Sequence, residues 1–150
     1  MKTPARLLIL PPALLLAACH PGPVAQPGTQ PVPSTATTDP GIDAADAKAV
    51  RGFLEAYGRK DLDGMMGYLD EDAVFRGSGT PLTKPQIRDF FRVSFQKHAN
   101  LRVEAEPLKQ VQGTLRTRVK VQTEAIWTDT WIFEMKNHKI HAYSLASGKR

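Results

Sequence analysis

From Thr114 to Trp127 the chain alternates apolar and polar residues. Leu115, Thr117, Val119, Val121, Thr123, Ala125 and Trp127 fall on one side, and Arg116, Arg118, Lys120, Gln122 and Glu124 on the other. Only an extended strand sends successive side chains to opposite faces, so this segment belongs to a sheet with one face on a core and one in water. That two-sided pattern is the mark of antiparallel sheet. Leu101 to Val111 alternates in the same way, with Gln112-Gly113 as the turn between the two strands. Trp131, Phe133 and Met135 continue the pattern in a third long strand, Asn137-His138 supplies a tight turn, and Ile140 to Leu145 returns as the last strand.

The preceding half has helical spacing. Val50, Phe53, Leu54 and Tyr57 predict a helix from Asp43 to Arg59, with Asp43 as its cap. Asp61 caps a shorter helix whose Leu62, Met65, Met66 and Leu69 share a face, ending at Asp70-Glu71-Asp72. Ala73-Val74-Phe75 is a short strand and Gly77 to Pro81 a loop. Thr83 with Gln86 makes a capping box, and Ile87, Phe90, Phe91 and Phe95 line one side of a third helix ending near His98 to Asn100. The expected fold class is α+β, with three N-terminal helices packed on an antiparallel sheet.

This pattern occupies residues 41–150, a length that makes one hydrophobic core. Upstream, Lys2 and Arg6 precede an apolar run from Leu7 to Ala18 that Pro11 and Pro12 interrupt. A spanning helix needs about 20 apolar residues, so residues 1–18 read as an export signal. Leu16-Ala17-Ala18-Cys19 resembles the bacterial lipobox, which implies that Cys19 carries the lipid (palmitate among its acyl chains) and attaches the chain to a membrane. His20 stands where aspartate favours inner-membrane retention, so the expected location is the periplasmic face of the outer membrane. Residues 19–40 hold the lipidated cysteine and a proline-rich tether with too little apolar surface to fold. Cys19 is the one cysteine, which excludes an intrachain disulfide. Removing Lys2 and Arg6 with the signal lowers the formal charge from +5 to +3, too modest a surplus to argue for nucleic acid.

The order of elements resembles the nuclear transport factor 2-like superfamily, including its SnoaL-like branch. The resemblance is carried by Phe53-Leu54-Glu55-Ala56-Tyr57, Lys60-Asp61-Leu62-Asp63-Gly64 and Leu69-Asp70-Glu71-Asp72-Ala73-Val74-Phe75. Ile87-Arg88-Asp89-Phe90-Phe91 and Trp131-Ile132-Phe133-Glu134 with Lys139-Ile140 continue it. It implies a strongly curved sheet wrapped around the helices as a cone with a pocket at its open end, and an outer sheet face that often builds a homodimer. That fold hosts isomerases, cyclases, dehydratases and non-catalytic binders, so it does not choose a function.

Ketosteroid isomerase, the best-understood enzyme of this superfamily, needs a carboxylate base and a tyrosine in its oxyanion hole. The resemblance places its first-helix tyrosine on Phe53 and its base on Gly77, neither of which does that chemistry. The remaining catalytic candidates are Asp129 and Tyr143, on strands that line the pocket in such folds, with His98 or His141 as groups titrating near neutrality. The opposing expectation is that Asp129 lies at a strand end near a turn and that the histidines are exposed. Asp70, Glu71 and Asp72 read as solvated turn residues, and no metal-ligand spacing or cofactor motif is present, so neither metal nor cofactor is expected. Phe90, Phe91, Phe95, Trp127, Trp131 and Phe133 read as core. Arg116, Arg118 and Lys120 form a basic stripe, either neutralised by Glu104 and Glu106 or free to meet an acidic protein.

The expected function is therefore that of a periplasm-facing lipoprotein with a non-catalytic domain that binds a partner protein or small ligand. An immunity-type protein that neutralises an antibacterial effector is its concrete form. The alternative is a SnoaL-like isomerase, cyclase or hydratase acting on an apolar substrate in the cone.

Overall fold

The computed structural model describes residues 39–147, position 78 excepted. The signal, Cys19 and the tether as far as residue 38 lie outside the described residues. The chain divides into two units, 1–33 and 34–150, and the described residues all belong to the second.

Helices α1 (Ala44–Gly58) and α2 (Leu62–Tyr68) start where the sequence places them. Asp43 accepts from the amides of Ala45 and Asp46 at 2.8 and 3.2 Å, and Asp61 accepts from Gly64 at 2.8 Å. Each carboxylate satisfies amides that the first helical turn leaves without a carbonyl. Strand β1 (Leu69–Arg76) follows α2 directly, so Asp70-Glu71-Asp72 lies inside a strand rather than at a helix exit. A two-residue strand β2 (Leu82–Thr83) leads into α3 (Lys84–Lys97), where the Thr83 amide donates to Gln86 at 2.9 Å to close the expected capping box.

The remaining chain is sheet: β3 (Arg102–Ala105), β4 (Lys109–Val111), β5 (Thr114–Gln122), β6 (Ile126–Lys136) and β7 (Lys139–Ser147). The strand order is β2-β1-β7-β6-β5-β3, with β4 paired to β5 beside β3. The sheet is mixed, not antiparallel throughout, because β7 returns from the meander alongside β1 and runs parallel to it. Two further departures have local causes. The segment expected as one strand from Leu101 to Val111 breaks between β3 and β4 at Pro107, which has no N–H for the ladder. There Thr117 Oγ1 donates to the Glu106 carbonyl at 2.6 Å, which keeps this buried hydroxyl satisfied. The long strand expected from Thr114 to Trp127 is two strands, since Thr123-Glu124-Ala125 reverses the chain and Trp127 belongs to β6 opposite Val121. Alternation survives that turn because Val121 and Trp127 are cross-strand partners on one face.

The concave face packs on the helices. Leu115, Val119 and Val121 of β5, Trp131 and Phe133 of β6 and Ile140 and Tyr143 of β7 are buried against Val50, Phe53 and Leu54 of α1, Met65 and Met66 of α2, and Ile87 and Phe91 of α3. Burying each of these large side chains is worth about 1.5–3 kcal/mol, which is what curls the sheet around three short helices. Phe90 and Trp127, expected in this core, are exposed instead.

Candidate functional site

In this fold a ligand would enter between the helices and the concave sheet face. Here that space is occupied by rings. Phe53 lies 5.4 Å from Tyr143, 6.2 Å from Phe133 and 6.4 Å from Trp131, centroid to centroid. Tyr143 in turn stacks on Phe75 at 4.6 Å and on Trp131 at 6.0 Å, while Tyr57 packs between Phe91, Phe95 and Trp131. Offset and edge-on contacts of this kind are those of a packed interior.

The two catalytic candidates stand in different surroundings. Tyr143 is 1% exposed and its hydroxyl has no hydrogen-bond partner among the described residues. Burial, with a smaller contribution from Tyr57, pushes its phenol well above the ordinary tyrosine range, and burial alone takes Tyr57 up to about 12. Neither is a proton donor poised near neutrality. Asp129 is half-buried within β6 rather than at a strand end, and its register partners are Val119 and Ser147. Tyr143 pairs with Phe133, four residues farther along β6, so the two side chains stand roughly 13 Å apart on the same face. That is too far for one acid–base pair. Gly77, where the resemblance would place a base, has no side chain to act as one, and a Cβ there would meet the tip of the Phe75 ring at 2.9 Å.

Each described histidine is engaged by a carboxylate. His98 Nδ1 lies 2.8 Å from Glu124, and this hydrogen bond is the main cause that lowers the Glu124 carboxyl below its ordinary value. His141 Nδ1 lies 2.8 Å from Asp70 Oδ2. His98 and His141 are half-buried rather than exposed, and Asp70, expected in solvent, is only 16% exposed, with its Oδ1 buried and without a partner among the described residues. The cause is a double irregularity in the sheet. Residues 70–73 of β1 bulge opposite His141, which is itself the extra residue between the Glu134–Ala142 and Met135–Ile140 pairs. Nearby, Lys84 Nζ reaches the Leu69 carbonyl at 3.1 Å and Glu71 at 3.0 Å, while the Glu71 and Asp72 side chains stay exposed as expected, so Asp70 alone departs from the solvated reading.

Asp43, Asp46 and His138 converge, with ligand-type atoms all within 4.8 Å. Sequence spacing hides this group because α1 and the β6–β7 turn bring together residues 92 apart. It is satisfied internally: Asp43 caps α1, and His138 Nδ1 lies 2.9 Å from Asp46. The basic stripe resolves in two ways. Lys120 pairs with Glu104 at 3.2 Å and Arg118 with Glu106 at 3.5 Å. Arg116 has no acidic partner among the described residues and faces Lys109 directly across the β4–β5 ladder. With Glu106, Pro107 and Arg118 these two line a shallow groove of about 200 Å³. Among the described residues no helix is long and apolar enough to cross a membrane.

Comparison with known proteins agrees with this architecture. No curated protein matches the chain. Among solved structures, it is similar to an uncharacterized cystatin-fold protein from Novosphingobium aromaticivorans, with 15% identity, a TM-score of 0.60, and coverage of 67% of this chain and 97% of that one. It is also similar to an NTF-2-like protein of unknown function from Burkholderia xenovorans, with 15% identity, a TM-score of 0.61 and coverage of 71% and 84%. A third is an LEH-like epoxide hydrolase from M. tuberculosis, with 15% identity, a TM-score of 0.58 and coverage of 69% and 83%. At such identities these likenesses speak for the fold alone. The family model described as "SnoaL-like domain" matches residues 50–143, which takes in all three helices' packing faces and the meander through Tyr143, and the chain belongs to that family.

Proposed function

We propose that the protein is a lipid-anchored, periplasm-facing SnoaL-like domain that binds a partner protein by its outer surface and carries out no reaction in its interior. The observation that carries the reading is the ring-filled cone: Phe53, Trp131, Phe133 and Tyr143 occupy the volume where a family enzyme would hold substrate. The separation of Asp129 from Tyr143 and the sealed phenol of Tyr143 support it. The lipobox at Cys19 supports the location. Arg116 and Lys109 on the convex face, like charges directly opposite each other, are the surface pair an acidic partner would relieve. An immunity protein that meets an incoming antibacterial effector in the periplasm is the specific form of this reading.

The rival is a SnoaL-like isomerase, cyclase or hydratase acting on an apolar substrate, supported by the name of the epoxide hydrolase neighbour. The test separates the two. Native mass spectrometry of the chain, extracted in detergent from its own cells, is expected to show a stoichiometric second protein, lost in Arg116→Glu. A chain that emerges alone and whose melting temperature rises with a small apolar molecule would favour the enzyme.

A further inference from the structure

The large hydrophobic side chains left exposed among the described residues are Phe90 and Val93 of α3 and Ile126 and Trp127 of β6. They are not scattered. Phe90 and Val93 line one groove of about 550 Å³ with Asp89, Ser94, Lys97 and His98. His98 is bound to Glu124 at 2.8 Å, which ties the end of this groove to the β5–β6 turn from which Ile126 and Trp127 emerge. Phe90 is 48% exposed, Ile126 61% and Trp127 36%. Ile126 and Trp127, neighbours along β6, point to opposite faces of the sheet, and the Trp127 ring and the α3 side chains are exposed at the end of the domain that the His98–Glu124 pair holds together; such exposure marks a contact with another apolar phase.

We infer that this rim, formed by the outer face of α3 and the β5–β6 turn, rests on the lipid surface to which Cys19 anchors the chain. The inference depends on the lipidation reading and adds an orientation to it. Two features favour lipid over protein as the occupant. The first is chemistry: an exposed indole, exposed apolar side chains and a lysine at one end of a domain are the composition that settles at a headgroup boundary. Along α3 the cations Lys84, Arg88, Arg92 and Lys97 outnumber the single acid Asp89. Arg88, Arg92 and Lys84 are held by Asp63, Asp89 and Glu71, whereas Lys97 stands in the apolar groove with no acidic partner among the described residues, so the patch's free charge has the sign that anionic headgroups attract. The second is reach. Nineteen residues lie between Cys19 and Asp39, and even fully extended they span no more than about 70 Å, so the bilayer stays the most concentrated apolar phase the rim can meet.

Trp127 makes the inference directly testable, because Trp131, the other tryptophan, is 4% exposed and sealed in the core. The full lipidated chain is placed in vesicles of phosphatidylethanolamine with a minority of phosphatidylglycerol, with and without brominated acyl chains, and Trp127→Phe identifies the Trp127 emission. Brominated chains are expected to lower that emission roughly twofold, as for an indole seated at the acyl boundary. The surface triple variant Phe90→Ser, Val93→Ser, Ile126→Ser should restore it while still floating with the vesicles. Unquenched Trp127 in a chain that floats overturns the docked rim and leaves the anchor standing. A chain that does not float removes the anchor and the inference together. If Trp127 is unquenched by lipid but shielded from acrylamide by a co-purified protein, the rim belongs to that protein and the lipid assignment is wrong.

Discussion

Cys19→Ser is expected to move the chain almost entirely from the membrane fraction to the soluble periplasmic fraction. Each buried methylene contributes about 0.8 kcal/mol to anchoring, and a multiply acylated cysteine supplies dozens of them, so their loss is not a graded effect. Nothing in the described domain can replace them: no helix there is long and apolar enough to span, and the exposed rim presents only Phe90, Val93, Ile126 and Trp127. Rim contact by itself is of the order of a single weak signal, which holds a protein reversibly. Fractionation of cells expressing each form, with mass spectrometry of the mature N-terminus, reads the result. An unmodified N-terminus on the wild-type chain, or identical fractionation of both forms, would contradict the anchor.

Phe53→Ala should be the most damaging single change in the domain, lowering unfolding free energy by about 3–5 kcal/mol. Phe53 is fully buried and its ring touches Trp131, Phe133 and Tyr143, so truncation leaves a void bordered by three rigid rings that cannot collapse into it. For a domain of this size that is on the order of half its stability. The neighbouring exposed ring gives the contrast, since Phe90→Ala should stay within about 1 kcal/mol. Urea unfolding of the two variants side by side measures both. A Phe53→Ala loss as small as that of Phe90→Ala would mean that the interior already holds a cavity.

Much of this fold is written in local pattern. The helix starts at Asp43, Asp61 and Thr83 are short-range chemistry, and the turns at Gln112-Gly113 and Asn137-His138 place residues with left-handed backbone where strands reverse. The β5–β6 turn escaped because Thr123-Glu124-Ala125 has no glycine, proline or asparagine, and the period-two pattern runs through it unbroken. The parallel β1–β7 pair escaped because it joins the first long strand to the last, a relation that no local spacing records.

The site was less legible than the fold. The resemblance places Asp129 and Tyr143 on pocket-lining strands but says nothing of how far apart they stand, and alternation along β7 is broken by the extra residue His141, which lets both Ile140 and Tyr143 face the core. The Asp70–His141 and Asp46–His138 pairs join residues 71 and 92 apart, and both depend on tertiary contact. Phe90 fits the buried stripe of α3 by composition. Yet α3 turns Ile87 and Phe91 to the core and leaves Phe90 on its flank, so a helix with four apolar candidates buries only part of them.

Tyr143→Phe bears most directly on the closed interior. A phenol hydroxyl buried without a partner carries an uncompensated desolvation cost of about 1–3 kcal/mol, so deleting it should leave the urea midpoint unchanged or raise it. A loss of unfolding free energy greater than about 1 kcal/mol would show that this hydroxyl has a partner, water or ligand, inside an open and polar cone, and would return Tyr143 to the catalytic candidates.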